Sequence, residues 1–214
     1  MCSGRVDLEF VLRAFSKGMD GVFIGGCRLN ECNYITHGNY DALSMVLMCR
    51  KIMEHIGLNP ERLCIEFMSS GEGNLFTQVT TDFVHKVREL GPLGKGEGEE
   101  AEENDLEFRL EAARKLVPYI KLVEREKLRV PSKSEEAYVE FFNSDELDRL
   151  FRDLILDKLA MGQITALLRD EPRSTGEIAE RLGLSPSEAA KHLGSSSQQG
   201  LIRYDEAQKR YTLA

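Results

Sequence analysis

Residues 21–32 read GVFIGGCRLNEC and decide the fold of the first half of the chain. A short apolar run, Val22 to Ile24, is bounded by glycines at 21, 25 and 26, as a buried parallel strand would be. Cys27 stands at the carboxyl end of that strand and Cys32 lies five residues on, in a loop. Working outward, Leu8, Val11, Leu12 and Phe15 have the spacing of an amphipathic helix closed by Gly18. Downstream, residues 41–56 carry a second helical stripe ending at Gly57, with Asn59-Pro60 beyond. RLCIEFM (62–68) is a second strand. Ser69 or Ser70 is expected to cap a third helix, with Glu72 in its first turn and Phe76, Val79, Phe83, Val84 and Val87 as its apolar stripe. The order αβαβα predicts an α/β domain with a parallel sheet covered by helices.

Two strands are too few for a stable sheet. Either a strand preceding Met1 or a partner is therefore expected to complete it. An unpaired edge or an apolar patch is expected beside residues 21–26.

The 214 residues predict one to two domains, and charge divides the chain in three. Net charge is −2 over residues 1–94, −6 over 95–150 and zero over 151–214. The predicted units are a cysteine-bearing α/β domain (1–94), an acidic linker with an extended helical arm (95–150), and a C-terminal domain (151–214). The linker is KGEGEEAEEND, residues 95–105, which has no apolar periodicity. Residues 105–128 and 134–142 read as helical, with Pro118 and Pro131 as interruptions.

In the last unit, residues 154–168 form one helix. Ser174 with Glu177, and Ser185-Pro186 with Glu188, open two more by capping boxes. LIRY and RYTL pair around DEAQK as a hairpin. Helix, helix, turn, helix, hairpin is an α+β winged helix-turn-helix, and residues 174–204 resemble prokaryotic winged-helix domains.

Composition narrows the function. Net charge −8 argues against nucleic-acid binding by the chain as a whole. Trp is absent and aromatics total 7%, which disfavours stacking modules. No apolar run spans a membrane and no signal peptide is visible, so a cytoplasmic location is expected. There is no glycine-rich phosphate motif and no catalytic triad order.

The five cysteines all fall in the first third, at positions 2, 27, 32, 49 and 64. Cys49 and Cys64 read as small buried apolar residues. Cys2 precedes the first helix, where a neighbouring strand would end. It is thus expected beside Cys27, with Cys32 folded over both. Three thiolates suit an iron–sulfur cluster, and zinc accepts the same donors. His37 follows the cysteine loop as a weaker candidate, while His55 and His85 fall on helices.

The blocks CSGRVD, AFSKGMDGVFIGGCRLNECNYITHGNYDA and GLNPERLCIEFMSSGEGNLF resemble the delta subunit of methyl-viologen-reducing hydrogenase over residues 1–94. The resemblance implies a [2Fe–2S] cluster with Cys2, Cys27 and Cys32 among the family cysteines. It also implies electron transfer between a hydrogenase, or a formate dehydrogenase, and heterodisulfide reductase. Arg28 and Asn33 stand where the family usually has His, and the family's upstream segment with further cysteines precedes the position of Met1. The chain alone is therefore expected to bind iron poorly. A winged helix on such a domain would be a docking element. Alternatively, the chain is a redox-responsive transcription regulator reading DNA through Lys191, His192, Ser195, Ser196, Gln198 and Gln199, with Arg203, Lys209 and Arg210 on the wing.

Overall fold

The computed structural model describes residues 2–34, 38–94 and 103–214. His37 and most of the acidic stretch lie outside the described residues.

A 3₁₀ turn at Ser3–Arg5 leads into α1 (Leu8–Ser16). Asp7 opens α1 by accepting the Glu9 N–H at 3.0 Å. Leu8, Val11, Leu12 and Phe15 are buried, the stripe their spacing predicts. Next come β1 (Val22–Gly26), α2 (Asn39–Ile56) and β2 (Leu63–Phe67). β1 and β2 pair in parallel with Val22 opposite Leu63 and Gly26 opposite Phe67, so α2 is the crossover of a βαβ unit. Among the described residues this sheet has two strands, each with one edge unpaired by another strand.

The third helix, α3 (Gly73–Leu90), buries no side chain fully. Its Phe76 and Val84 remain 51% and 45% exposed, while the Phe23 ring packs on Phe76 and Phe83. An apolar surface does therefore lie beside β1. The start of α3 differs from expectation. Glu72, not Ser69 or Ser70, holds the N-cap position, and its carboxylate reaches back to accept the Ser69 N–H at 2.6 Å.

The arm also differs. α4 (Glu103–Lys127), α5 (Glu135–Phe142) and α6 (Asp145–Phe151) do not extend away from the first region. Leu106, Leu110, Ala113, Val117, Ile120 and Val123 of α4 join Phe142, Leu147 and Ile155 in the same core as α1 and α2. α4 continues through Pro118, which is exposed. One lost N–H on the solvent side of a long helix is tolerable when the opposite face is packed.

Ser44 of α2 donates to Glu124 of α4 at 2.9 Å. Burial pushes the Glu124 carboxyl pKa up; the Ser44 bond and Lys121 oppose this, while Asp41 and Asp7 add to it. A carboxyl whose folded pKa is raised contributes stability at pH below its unfolded value, and that contribution is lost as pH rises through the folded value. Urea midpoints measured across this window should fall with rising pH less steeply in Glu124→Gln than in the wild type. Equal slopes would remove Glu124 as the cause.

The helix expected at 154–168 begins earlier. α6 runs through a π-helical turn, Arg152–Leu156, into α7 (Asp157–Asp170). α8 (Thr175–Leu182) and α9 (Pro186–Gln198) both open with the expected capping boxes. β3 (Ile202–Asp205) and β4 (Arg210–Leu213) form an antiparallel pair. Ile164, Leu168, Ile178, Leu193 and Ile202 make a second, smaller core for these elements. No helix among the described residues is long and apolar enough to cross a membrane.

Candidate functional site

Cys27 follows the last residue of β1 directly, and ligands collect at the carboxyl ends of parallel strands. Cys2 sits just before the Ser3–Arg5 turn, in extended conformation. Its Sγ lies 3.6 Å from Cys32 Sγ. Cys27 lies near enough to this pair for both Cys32 and Cys2 to push its pKa up, so the three thiols share one end of the sheet. Among the described residues they do not form a ready-made three-donor metal group.

The loop is held by its backbone. A Cβ on Gly4 would lie 2.2 Å from the Gly38 carbonyl oxygen, so the turn after Cys2 and the chain before α2 touch main chain to main chain. A Cβ on Gly38 would meet Tyr34 O at 2.3 Å and Cys32 Sγ at 2.7 Å. Asn39, buried at the start of α2, donates through Nδ2 to the carbonyls of Cys27 (2.9 Å) and Arg28 (2.7 Å) and lies 3.6 Å from Cys27 Sγ. Tyr40 Oη donates to Asn30 Oδ1 at 3.0 Å, and Asn30 takes a left-handed φ of 69°. Asn tolerates that conformation better than most residues.

Arg28 ties the loop to α3. Its Nε donates to Glu72 Oε2 at 2.9 Å and its Nη2 pairs with Oε1 of the same carboxylate. That guanidinium, aided by the Ser69 N–H, holds the Glu72 pKa down to about 2. The sequence marks Glu72 only as a first-turn residue of α3, and it does not mark Asn39 or the Gly4–Gly38 contact. The only signal for Asn39 is an amide side chain at a helix start soon after a cysteine loop.

The thiols differ in acidity. The Tyr34 main-chain N–H, with smaller help from Asn39, Cys2 and Cys27, lowers the pKa of Cys32 against the opposing effect of burial. Burial, then Cys32, raises that of Cys27. Cys32 thus reaches the thiolate, the form that binds metal, more readily than Cys27. Ser3 Oγ is buried beside this loop with no hydrogen-bond partner. It would meet a Cβ placed on Gly26 at 2.9 Å. A buried hydroxyl without an acceptor marks a place where a further polar group fits.

The other cysteines are elsewhere. Cys49 is fully buried in the α1–α2 core, where burial drives its thiol pKa far up. Cys64 sits in β2 opposite Phe23, well before the strand end, and burial raises its pKa. His55 lies in the last turn of α2, about 24 Å along the helix from Asn39. His85 lies exposed, far along α3.

The second candidate surface is largely occupied by its own contacts. His192 is only 8% exposed, a correction to its expected outward role, because α9 turns it toward α7. Burial lowers its pKa, and Asp157 at 3.9 Å opposes that. Lys191 pairs with Asp157 at 3.2 Å. Ser196 is buried with no partner for its hydroxyl. Gln199 accepts from Lys158 at 3.3 Å. Arg210 binds Glu177 at 2.9 Å and the Pro172 carbonyl at 2.8 Å. Arg203 donates to Thr212 within the hairpin. Ser195 is half-buried, and Gln198 and Lys209 are exposed.

A family model described as methyl-viologen-reducing hydrogenase, delta subunit, matches residues 1–91. The chain is 39% identical over 92 residues to a vhu iron-sulfur subunit of the F420-non-reducing hydrogenase of Methanopyrus kandleri, covering 43% of this chain and 69% of the relative. It is 44% identical over 92 residues to an iron-sulfur subunit of the F420-non-reducing hydrogenase of Archaeoglobus profundus, covering 43% and 66%. It is also 46% identical over 94 residues to a subunit of the ferredoxin:CoB-CoM heterodisulfide reductase of Methanosarcina mazei, covering 44% of this chain. That match is only 12% of the reductase subunit, so the shared segment is a small part of a much larger protein. The segment carrying the three neighbouring thiols is thus the part that these proteins share, and the chain belongs to the family of methyl-viologen-reducing hydrogenase delta subunits.

Proposed function

We propose that the chain is an iron–sulfur electron-transfer subunit working between a hydrogenase and a heterodisulfide-reductase-type partner. The observation that carries this reading is the meeting of Cys2, Cys27 and Cys32 at the carboxyl end of the parallel strands. Relatives named as iron-sulfur subunits of hydrogenases and as a heterodisulfide reductase subunit support it. None of these names is a formate dehydrogenase.

The three thiols fit an iron–sulfur group by donor chemistry, and the unpartnered Ser3 hydroxyl leaves a polar place beside them. Cys2, Cys27 and Cys32 would hold a [2Fe–2S] cluster, with its fourth ligand from outside this trio. Such a cluster supplies a one-electron carrier when bound. Asn39 and the Arg28–Glu72 pair fix the Cys27 end of the loop, and the Gly4–Gly38 contact fixes the Cys2 end.

Residues 151–214 serve, on this proposal, as a winged-helix docking module for a protein partner. The burial of His192 and the pairing of Lys191 and Arg210 with acidic side chains blunt the basic face that phosphate binding needs, which disfavours the regulator reading.

The test is iron and sulfide analysis after anaerobic reconstitution of the full chain. Wild-type protein should retain iron at a substoichiometric, labile level, since three thiolates leave one position open. Cys2→Ser, Cys27→Ser and Cys32→Ser should each lose most of it. Cys64→Ala should match the wild type. Wild-type iron in a Cys27→Ser/Cys32→Ser double variant would refute the assignment.

A further inference from the structure

We propose that the metal-free cysteine site is a thiol–disulfide switch, in which Cys2 and Cys32 join as a disulfide while Cys27 stays reduced. This deepens the reading above, because it gives the same ligand set a second chemical state.

The geometry carries it. Cys2 Sγ and Cys32 Sγ are 3.6 Å apart across 30 residues of sequence. A disulfide needs about 2.05 Å, a gap that side-chain rotation closes when the backbones are already adjacent. They are adjacent: the turn after Cys2 touches the chain before α2 through Gly4 and Gly38, and Cys32 Sγ packs against Gly38. Both thiols are half-buried and neither sits in a helix or strand that would resist a small shift. Cys27 has a different neighbourhood, with the Asn39 amide against its sulfur.

The oxidant is a low-molecular-weight disulfide, R–S–S–R. Cys32 thiolate attacks one sulfur, the S–S bond breaks, and the first RS⁻ leaves. Cys2 thiolate then attacks Cys32 Sγ of the mixed disulfide, and the second RS⁻ leaves. The two protein thiols lose two electrons and two protons, and the reagent becomes two thiols. In that state two of the three proposed iron ligands are consumed. A dithiol reductant reverses both steps and restores the site.

The experiment uses reduced, metal-free full chain incubated with glutathione disulfide, quenched, alkylated without reduction, and digested with trypsin. Free thiols should fall from five to three per chain. A link should join the peptide of residues 1–5 to that of residues 29–50. The link should vanish in Cys2→Ser and Cys32→Ser, and persist in Cys27→Ser. Five persisting thiols in the wild type, or a link joining residues 18–28 to 29–50 instead, would overturn the proposal. Iron retention by the reduced protein is measured separately. Iron binding without the disulfide sinks the switch alone, and the disulfide without iron binding sinks the cluster reading alone.

Discussion

Arg62→Met should lower the stability of the chain by about 2–4 kcal/mol, measured by urea denaturation, since each buried carbonyl left without a donor costs about 1–3 kcal/mol and relaxation recovers part of the sum. Arg62 is fully buried in the turn that opens β2. Its Nη1 donates to the carbonyls of Asp20 and Gly91 at 2.9 Å, and its Nη2 to those of Leu90 and Pro92 at 3.3 Å. One side chain therefore joins the entry to β1, the entry to β2 and the end of α3. The carbonyls at the end of α3 have no partners within the helix, and the helix dipole there favours a cation. Met keeps much of the volume but removes every donor, leaving several carbonyls short of a partner. Arg62→Lys should fall between the two, because an ammonium lacks the planar fork that reaches carbonyls on two sides. A loss below about 1 kcal/mol for Arg62→Met would show that these carbonyls find other partners, at the ordinary net value of one hydrogen bond.

That residue also shows where sequence reading stops. An arginine between a turn and a strand gives no apolar signal, and its burial is visible only once three chain segments meet on it. α1, by contrast, was legible because Leu8, Val11, Leu12 and Phe15 mark one face at helical spacing, and burial needs nothing further. The ends of β1 and the position of Cys27 were legible for a similar reason: glycines bounded a short apolar run. α4 was half legible. Its Leu106, Leu110, Ala113, Val117 and Ile120 recur on one face, but Pro118 reads as an interruption unless that face is known to be packed. His192 looked available as a forward residue of a recognition helix, yet the same helix turns it against Asp157. For the site, residue type indicated the three thiols. The parts that hold them are not local either: Asn39 reaches back across the whole cysteine loop to Cys27, and Gly4 meets Gly38 from far along the chain, contacts that no helical or strand spacing encodes.

Gly4→Ala should therefore damage the site more than its size suggests. The new methyl would stand 2.2 Å from Gly38 O, 2.8 Å from Gly38 C and 3.1 Å from Gly38 Cα. All three are main-chain atoms, so no side-chain rotation relieves the clash, and the two segments must separate. Overpacking of this kind costs about 1–3 kcal/mol. The larger effect is on the thiols, because Cys2 rides on one segment and Cys32 lies against the other. A displacement of about an ångström in the support of a ligand set lowers metal affinity roughly 10–100-fold. Iron retained after reconstitution should fall by that order, and the Cys2–Cys32 link should form more slowly with glutathione disulfide. Gly73→Ala is the control, since a Cβ there meets nothing within 4 Å. It should leave both readouts at wild-type values. If Gly4→Ala kept wild-type iron and a wild-type rate of linkage, the two segments would not be what brings Cys2 to Cys32, and the site would have to be held from the Cys27 side, through Asn39 and the Arg28–Glu72 pair.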